Sequence, residues 1–191
     1  MKIVAISGSP RKKGNTAKVL AHFEKLAGDQ HELDIIEMAS QKVHACLGCY
    51  ACMKNNREPG CIQKDDAIPI FERMMQSDLI IYASPLYWWG FSSQIKVLID
   101  RHLCMIKGDG KPNFKSLLNG KKVALLVTCD GPIENNADFI QGVFQRVSEY
   151  CQCNVVGKYI FPSCIDPDAI ATKGKEVVET MASDILKALK I

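Results

Sequence analysis

The sequence lacks several features that would place it in other classes of protein. It has no apolar run of the roughly 18 to 20 residues that a membrane-spanning helix needs. Its first apolar stretch, KIVAISG, leads directly into a polar loop instead of a signal-peptide cleavage region. Charge is nearly balanced, with 24 basic and 21 acidic side chains and no long block of one sign. We therefore expect a cytoplasmic protein without a membrane or nucleic-acid surface.

Internal repeats, low-complexity tracts and linkers are also missing. At 191 residues and 47% hydrophobic composition, the chain is long enough for one substantial core and short for two. The sequence therefore predicts a single domain over residues 1–191, with a cysteine-rich loop at about 44–63 and a second irregular stretch between Lys107 and Lys122. Irregular segments of this length in a compact domain often carry function.

What the chain does contain is an alternation of strand and helix patterns. Alternation of this kind favours a parallel sheet covered by helices on both faces. Five strands and five helices fit a flavodoxin-like three-layer sandwich with strand order 2-1-3-4-5. The predicted strands are Lys2–Ile6, Leu33–Glu37, Asp78–Ala83, Lys122–Thr128 and Asn154–Phe161, and the predicted helices are Thr16–Leu26, Ala67–Gln76, Ser93–Met105, Ala137–Cys151 and Thr172–Leu189.

The loop after the first strand, SGSPRKKGNT, has the composition of a phosphate site. Its glycines permit tight turns, and hydroxyl and amide side chains stand beside the start of a helix, whose free N–H groups and dipole favour an anion. Arg11 can add a planar, permanently charged donor group. The loop matches neither the Gly-x-Gly-x-x-Gly fingerprint nor the nucleotide-hydrolase phosphate loop. An ordinary helix cap is the alternative interpretation.

The loops after the third and fourth strands suggest a flat ligand. SPLYWWG, residues 84–90, carries three consecutive aromatic residues where an exposed loop is normally polar. A planar heterocycle could lie against it, although core packing or an oligomer interface would also explain the aromatics, especially Trp89. TCDGP, residues 128–132, offers a small wall. One phosphate and one flat ring system together describe flavin mononucleotide, FMN.

Nine cysteines are present, and Cys46, Cys49, Cys52 and Cys61 fall within sixteen positions. Two-residue spacing can direct three thiolates at one iron-sulfur cluster, with the fourth arriving from a flexible loop. Zinc, a redox-active disulfide and purely structural thiols remain alternatives. Because the loop follows the second strand, any redox centre there would lie near the flavin of this chain or of a neighbouring subunit.

In combination, GSPRKKGNT, CLGCYACM followed by CIQKDDA, ASPLYWWG and QIKVLIDR resemble the NADPH-dependent FMN reductase group of flavodoxin-like proteins, in particular its iron-sulfur flavoprotein branch. The resemblance covers about residues 1–165. It implies a flavodoxin-like fold, non-covalent FMN, a [4Fe-4S] cluster on Cys46, Cys49, Cys52 and Cys61, and a homodimer or homotetramer. By position, Ser9, Arg11, Asn15 and Thr16 would hold the FMN phosphate, Pro85, Leu86, Tyr87, Trp88 and Gly90 would line the ring, and Thr128, Asp130 and Gly131 would complete the pocket.

The function expected from these features is an FMN-dependent oxidoreductase that receives electrons from NAD(P)H or another donor and exchanges them with the cluster. We expect no obligatory side-chain acid or base, so no catalytic residue is assigned. One alternative is a cluster-free NAD(P)H-dependent reductase of FMN or quinones. Two others are a flavodoxin-type electron carrier and a zinc-stabilised binding module. Lys96, Asp100 and Arg101 are expected in helix-surface ion pairs or subunit contacts.

Overall fold

The computed structural model describes residues 1–28, 31–55, 58–108, 114–164, 170 and 174–189. Five parallel strands form its central sheet, in the spatial order β2-β1-β3-β7-β8. A short β4 pairs antiparallel with the end of β3, and β5 and β6 form a separate two-stranded hairpin. The strands are β1 (Lys2–Ser7), β2 (Glu32–Glu37), β3 (Leu79–Tyr87), β4 (Gly90–Phe91), β5 (Ile106–Lys107), β6 (Lys115–Ser116), β7 (Lys122–Thr128) and β8 (Asn154–Phe161).

Helices cover the sheet on both faces, which confirms the predicted three-layer arrangement. The helices α2, α3 and α4 pack on one face, and α1 and α5 pack on the other. Five strands ordered 2-1-3-4-5 in sequence terms make this a flavodoxin-like topology. The helices are α1 (Asn15–Ala27), α2 (Ala67–Gln76), α3 (Ser93–Asp100), α4 (Asp138–Tyr150) and α5 (Lys175–Leu189).

The pleat of each central strand explains why the sequence reads as unbroken apolar runs. Ile3 and Ala5 of β1 belong to the core beneath α1 and α5, whereas Val4 and Ile6 belong to the core beneath α2, α3 and α4. All four side chains are fully buried. A strand buried on both faces has no polar position to alternate with, so its pattern is continuous instead of period two.

Several element boundaries differ from the sequence prediction. The third strand continues past Ala83 to Tyr87, because β7 pairs with it as far as Pro85 and β4 pairs with Leu86 and Tyr87. The predicted helix to Met105 ends as an α-helix at Asp100 and tightens into a 3₁₀-helix over Arg101–Met105. The predicted irregular stretch after Lys107 contains the β5–β6 hairpin. The predicted start of the last helix, Thr172, lies outside the described residues.

No helix among the described residues is long and apolar enough to cross a lipid bilayer.

The cysteine-rich loop is closed at its base by two consecutive aspartates. The Asp65 carboxylate accepts hydrogen bonds from the His44 N–H (2.9 Å), the Ala67 N–H (3.1 Å) and the Arg101 guanidinium (2.8 and 3.2 Å). Asp66 exchanges two hydrogen bonds with the backbone of Lys42, at 2.6 and 3.0 Å. Because these contacts join residues before the loop to residues after it, both ends are fixed independently of the cysteines.

The Arg101–Asp65 pair is fully buried, with both side chains 1% exposed. The expected surface location of Arg101 is therefore wrong, since the turn after α3 directs the guanidinium inward to Asp65 and the His44 carbonyl. Lys96 and Asp100 do form the expected surface pair, at 2.6 Å. Burial by itself would raise the pKa of Asp65, but hydrogen bonds from Arg101, His44 and Ala67 hold that pKa below its ordinary value.

We predict that Asp65→Asn lowers the free energy of unfolding by about 3–5 kcal/mol, because it leaves a buried guanidinium without its counterion. Asp100→Asn should cost less than about 1 kcal/mol, since its ion pair is exposed. Because the pKa of Asp65 is lower in the folded than in the unfolded state, the ionised carboxylate stabilises the fold at pH values above the unfolded-state pKa. That stability is lost as pH falls through the folded-state pKa. The gap between wild type and Asp65→Asn should therefore narrow below about pH 4. Urea unfolding at several pH values measures the free energy of unfolding of wild type and both variants. An equal loss of stability in Asp65→Asn and Asp100→Asn would contradict the prediction.

Candidate functional site

A cleft of about 230 Å³ lies at the carboxyl edge of the sheet and brings together the three loops selected from the sequence. Parallel strands end on one side, so the loops after β1, β3 and β7 meet there. Nine of the twelve residues predicted to bind FMN contribute to its wall. The lining residues are Ser9, Arg11, Gly14, Asn15, Thr16, Pro85, Leu86, Tyr87, Thr128, Cys129, Asp130 and Cys164.

The first loop forms a compact turn at the start of α1. The Arg11 N–H donates to Ser9 Oγ at 3.1 Å, and the Ser9 hydroxyl donates to the Arg11 carbonyl at 3.1 Å. Gly14 precedes α1 in extended conformation, and no side chain of the described residues caps the helix. The exposed Arg11 guanidinium forms no ion pair among the described residues. Free helix N–H groups and an uncommitted guanidinium both favour an anion.

Contacts between the loop after β1 and the residues on either side of the SPLYWWG loop fix the cleft's geometry. The Gly8 N–H donates to the Ala83 carbonyl at 2.7 Å, and the Ser92 hydroxyl donates to the Gly8 carbonyl at 2.6 Å. A Cβ atom at Gly8 would lie 2.7 Å from Ile95 Cγ2 and from Ser92 Oγ. Only glycine lets the backbone of the first loop approach α3 this closely.

The loop after β8 also reaches the cleft, which the sequence reading missed. The Asn15 side-chain amide donates to the Cys164 carbonyl at 2.5 Å, and the Cys164 N–H donates to the Cys129 carbonyl at 2.9 Å. The Thr16 and Thr128 hydroxyls share a 2.9 Å hydrogen bond that joins α1 to the end of β7. The parallel topology was the signal that could have found Cys164, because β8 is next to β7 and ends at the same edge.

Three predicted residues, Trp88, Gly90 and Gly131, do not line the cleft. Trp88 and Trp89 form the two-residue turn between β3 and β4, with φ of 48° and 60°. Positive φ at both central positions defines a type I′ turn, which favours Asn and Gly and costs a side-chain-bearing residue about 1–2 kcal/mol. This turn holds Trp88 outward, 89% exposed.

The cleft suits part of an FMN molecule. Its polar end, with Arg11 and the uncapped α1, has the donors that a phosphate accepts, and its other walls are Pro85, Leu86 and Tyr87. Its volume is below the roughly 300–1,000 Å³ of pockets that enclose a whole small ligand. A bound flavin would therefore keep part of its surface outside the walls of this chain.

A larger groove of about 940 Å³ runs between the 3₁₀-helix Arg101–Met105 and the end of α4. Its imidazole, His102, is committed, since Nδ1–H donates to the Leu98 carbonyl at 2.9 Å and Nε2 accepts from the Tyr82 hydroxyl at 2.8 Å. Burial lowers the pKa of His102 to about 4, so the ring is neutral near pH 7. The groove is mostly apolar and offers less redox or phosphate chemistry than the cleft.

The four motif cysteines line a second, small cavity that is partly open to solvent. Cys46 and Cys49 are exposed, Cys61 is half-buried and Cys52 is buried in the core beneath α2 and α3. A fifth thiol, Cys104 of the 3₁₀-helix after α3, lines the same cavity together with Arg101. Sequence spacing could not reveal Cys104, because it lies 43 positions after Cys61 along the chain.

The electrostatic environment of this cavity is cationic. Burial, followed by the proximity of Cys61, raises the pKa of the Cys52 thiol, and burial raises the pKa of Cys104 to about 12. Arg101 interacts electrostatically with Cys61. Lys107 interacts with Cys52 and Cys104, and its Nζ is buried without a hydrogen-bond partner among the described residues. Burial lowers the pKa of Lys107, because it disfavours the charged form of the amine.

Four thiols on one cavity are the donor type that a [4Fe-4S] cluster takes. Among the described residues, no group of three histidines, cysteines or carboxylates is arranged to hold a metal ion. A cubic cluster attaches each thiolate to a different iron, so its ligands need not converge on one point. The cavity measures about 20 Å³, roughly one water molecule. Loading would therefore require the exposed Cys46–Cys49 side to move outward. All nine cysteines are among the described residues, and none forms a disulfide.

Comparison with known proteins agrees with this architecture. A 35% identical match over 124 residues is to an iron-sulfur flavoprotein of Archaeoglobus fulgidus, covering 64% of this chain and 54% of that protein. A putative NAD(P)H-dependent FMN-containing oxidoreductase of Bacillus subtilis, YwqN, is 28% identical over 142 residues, or 74% of each chain. The chain spans about half the length of the first iron-sulfur flavoproteins that it matches.

Solved structures share the fold at low identity. An FMN-dependent NADH-azoreductase from Bacillus anthracis in complex with FMN superimposes with a TM-score of 0.67 at 15% identity, covering 97% of this chain and 99% of that one. This likeness confirms the flavodoxin-like fold. The profile of the NADPH-dependent FMN reductase family matches residues 1–163. The chain therefore belongs to the NADPH-dependent FMN reductase family, a family of flavoprotein oxidoreductases.

Proposed function

We propose that the protein is an FMN-dependent oxidoreductase of the iron-sulfur flavoprotein type, in which FMN exchanges electrons with a [4Fe-4S] cluster on Cys46, Cys49, Cys52 and Cys61. The observation that carries the proposal is the pairing of two sites on one framework. One is a cleft with phosphate donors and an apolar wall, and the other is a four-cysteine cavity with buried cations. NAD(P)H is the proposed electron donor, in keeping with the family.

The chain's own residues would bind and orient the flavin. Arg11 and the first N–H groups of α1 would hold the phosphate, while Leu86 and Tyr87 would lie along the ring. Thr16 would act mainly through its backbone, because its hydroxyl is committed to Thr128. When bound, FMN accepts hydride and releases electrons singly, so it can connect a two-electron donor to a one-electron acceptor. No side chain needs to act as acid or base in this scheme.

Two alternatives keep the same cleft. A cluster-free NAD(P)H-dependent reductase of FMN or quinones would leave the cysteines as thiols, consistent with a cavity of only about 20 Å³. A flavodoxin-type electron carrier would bind FMN without turning over NAD(P)H. The formal net charge of +3 weighs against a carrier, since such carriers are usually acidic. Anaerobic bleaching of the bound flavin by NADPH or NADH distinguishes the carrier from both reductases.

We also propose that the chain forms a homodimer or homotetramer through the Trp88–Trp89 turn. Trp88, Trp89 and Tyr87 are 89%, 48% and 42% exposed beside a cleft that is too small for all of FMN. A second copy placed there would cover both the aromatics and the flavin.

Arg11→Met is predicted to weaken FMN binding by about 10- to 100-fold, the value of one charged hydrogen-bonding group. Riboflavin, which lacks the phosphate, should bind wild type and Arg11→Met within about threefold of each other. Lys13→Met, which removes a neighbouring exposed charge, is the matched control and should leave FMN affinity within the same factor. Quenching of flavin fluorescence gives the dissociation constants. Equal loss for FMN and riboflavin would show that Arg11 does not contact the phosphate.

Anaerobically prepared wild type is predicted to contain about one FMN, four iron and four sulfide per chain. Each single replacement by serine of a motif cysteine, Cys46, Cys49, Cys52 or Cys61, should remove most of the iron. FMN should stay bound, because the two sites share no lining residue. Cys151→Ser, at a buried cysteine outside the cavity, is the control and should retain iron. Stoichiometric FMN without iron in wild type would favour the cluster-free reductase.

Replacement of Trp88 and Trp89 together by serine is predicted to remove this interface, so that the mass measured by light scattering falls from a dimer to one chain, about 21 kDa, or from a tetramer to two chains. Phe139→Ser, which changes an exposed aromatic on α4, should leave the oligomer intact. Dissociation of Phe139→Ser with an intact oligomer in the double tryptophan variant would locate the interface on α4.

A further inference from the structure

Lys107 is a buried cation that the flavin site does not use. It ends β5, and its side chain is 4% exposed. Its Nζ makes no hydrogen bond to any described residue. A buried ammonium group without a partner costs several kcal/mol of effective desolvation free energy, so an unpaired lysine requires a physical explanation.

The groups around Lys107 lead to the cysteine cavity. It interacts electrostatically with Cys104, Cys52 and the exposed Glu58. Cys52 and Cys104 both line the cavity formed by the motif cysteines. Two of the three groups that face the ammonium are therefore sulfur atoms, which carry no negative charge as thiols.

The other buried cation at this site is already neutralised. Arg101 lines the cavity, but its two Nη groups bind the Asp65 carboxylate at 2.8 and 3.2 Å. Asp65 in turn has no lone pair left for a second cation once it has also accepted from His44 and Ala67. Among the described residues, Lys107 is therefore a buried cation close to two of the cavity's thiols that has no carboxylate hydrogen-bonded to it.

We propose that Lys107 is the countercharge to an anionic iron-sulfur group held by Cys46, Cys49, Cys52 and Cys61, and that it raises the reduction potential of that group. This inference rests on the cluster form of the proposed function. Four thiolates around a cluster carry net negative charge, and reduction adds one more electron to the group. A nearby buried cation stabilises the reduced state more than the oxidised state, because Coulomb attraction grows with the added charge.

The experiment compares the cluster's midpoint potential in anaerobically reconstituted wild type, Lys107→Met, Lys107→Arg and Lys115→Met. Lys115 pairs with Lys107 across the β5–β6 hairpin but is exposed, so Lys115→Met removes the same charge from the same hairpin in solvent. Lys107→Met should lower the equilibrium constant for cluster reduction by about tenfold, a shift of about 59 mV to more negative potential. Lys107→Arg and Lys115→Met should stay within about twofold of wild type.

Iron and sulfide content, together with the thermal unfolding midpoint, are measured for every variant. Loss of the cluster in Lys107→Met with retention in Lys107→Arg also supports the countercharge, because arginine keeps the positive charge and methionine removes it. Loss in both variants would show a packing role and overturn the inference, and an unchanged potential in a loaded Lys107→Met overturns it as well. If Lys107→Met does not fold, Lys107→Gln gives the same comparison with a neutral polar side chain. A wild-type chain that takes up no iron overturns both this inference and the cluster form of the proposed function, whereas a loaded wild type preserves the latter.

Discussion

The register of three parallel strands determines where chemistry can occur in this protein. Ser7, the last residue of β1, is paired with Ala83 of β3, and Thr128, the last residue of β7, is paired with Pro85. The two strands that flank β3 therefore stop within two residues of the same level. Their following loops have no ladder partners at that edge, so their polar groups turn toward each other and toward the start of α1. The cleft is a consequence of this common ending.

The cysteine cavity depends on a different interaction. Its fixed half consists of Cys52, Cys104 and Arg101, which pack into the core beneath α2 and α3 or bind Asp65. Its outer half, Cys46 and Cys49, is exposed. The hydrogen bonds of Asp65 and Asp66 join the ends of the loop on either side of the four cysteines. A site built this way can therefore accept a bulky group from the solvent side without disturbing the sheet.

Much of this organisation was readable from the sequence, because its signals are local or follow from topology. Apolar runs marked the strands buried on both faces, and the strand order then identified which loops converge, placing nine predicted residues on one cleft. Other features could not be read from the sequence, for physical reasons. Trp88 does not line the cleft, because a type I′ turn holds its side chain outward, and turn type depends on the pairing of β3 with β4. Cys104 and Lys107 approach Cys52, and Asp65 approaches Arg101, only through tertiary packing. Arg101 has the sequence pattern of a surface residue until the 3₁₀ turn after α3 directs it inward.

Helix α3 touches both sites with its two ends. Ser92, just before it, donates to Gly8 in the first loop, and Arg101, just after it, binds Asp65 at the base of the cysteine loop. Nine residues at about 1.5 Å rise each separate these contacts by about 14 Å along the axis. The helix therefore acts as a rigid spacer, so the distance between these two contacts is set by helix geometry and not by loop flexibility. A change in its length by one residue would rotate one anchoring contact by about 100° relative to the other.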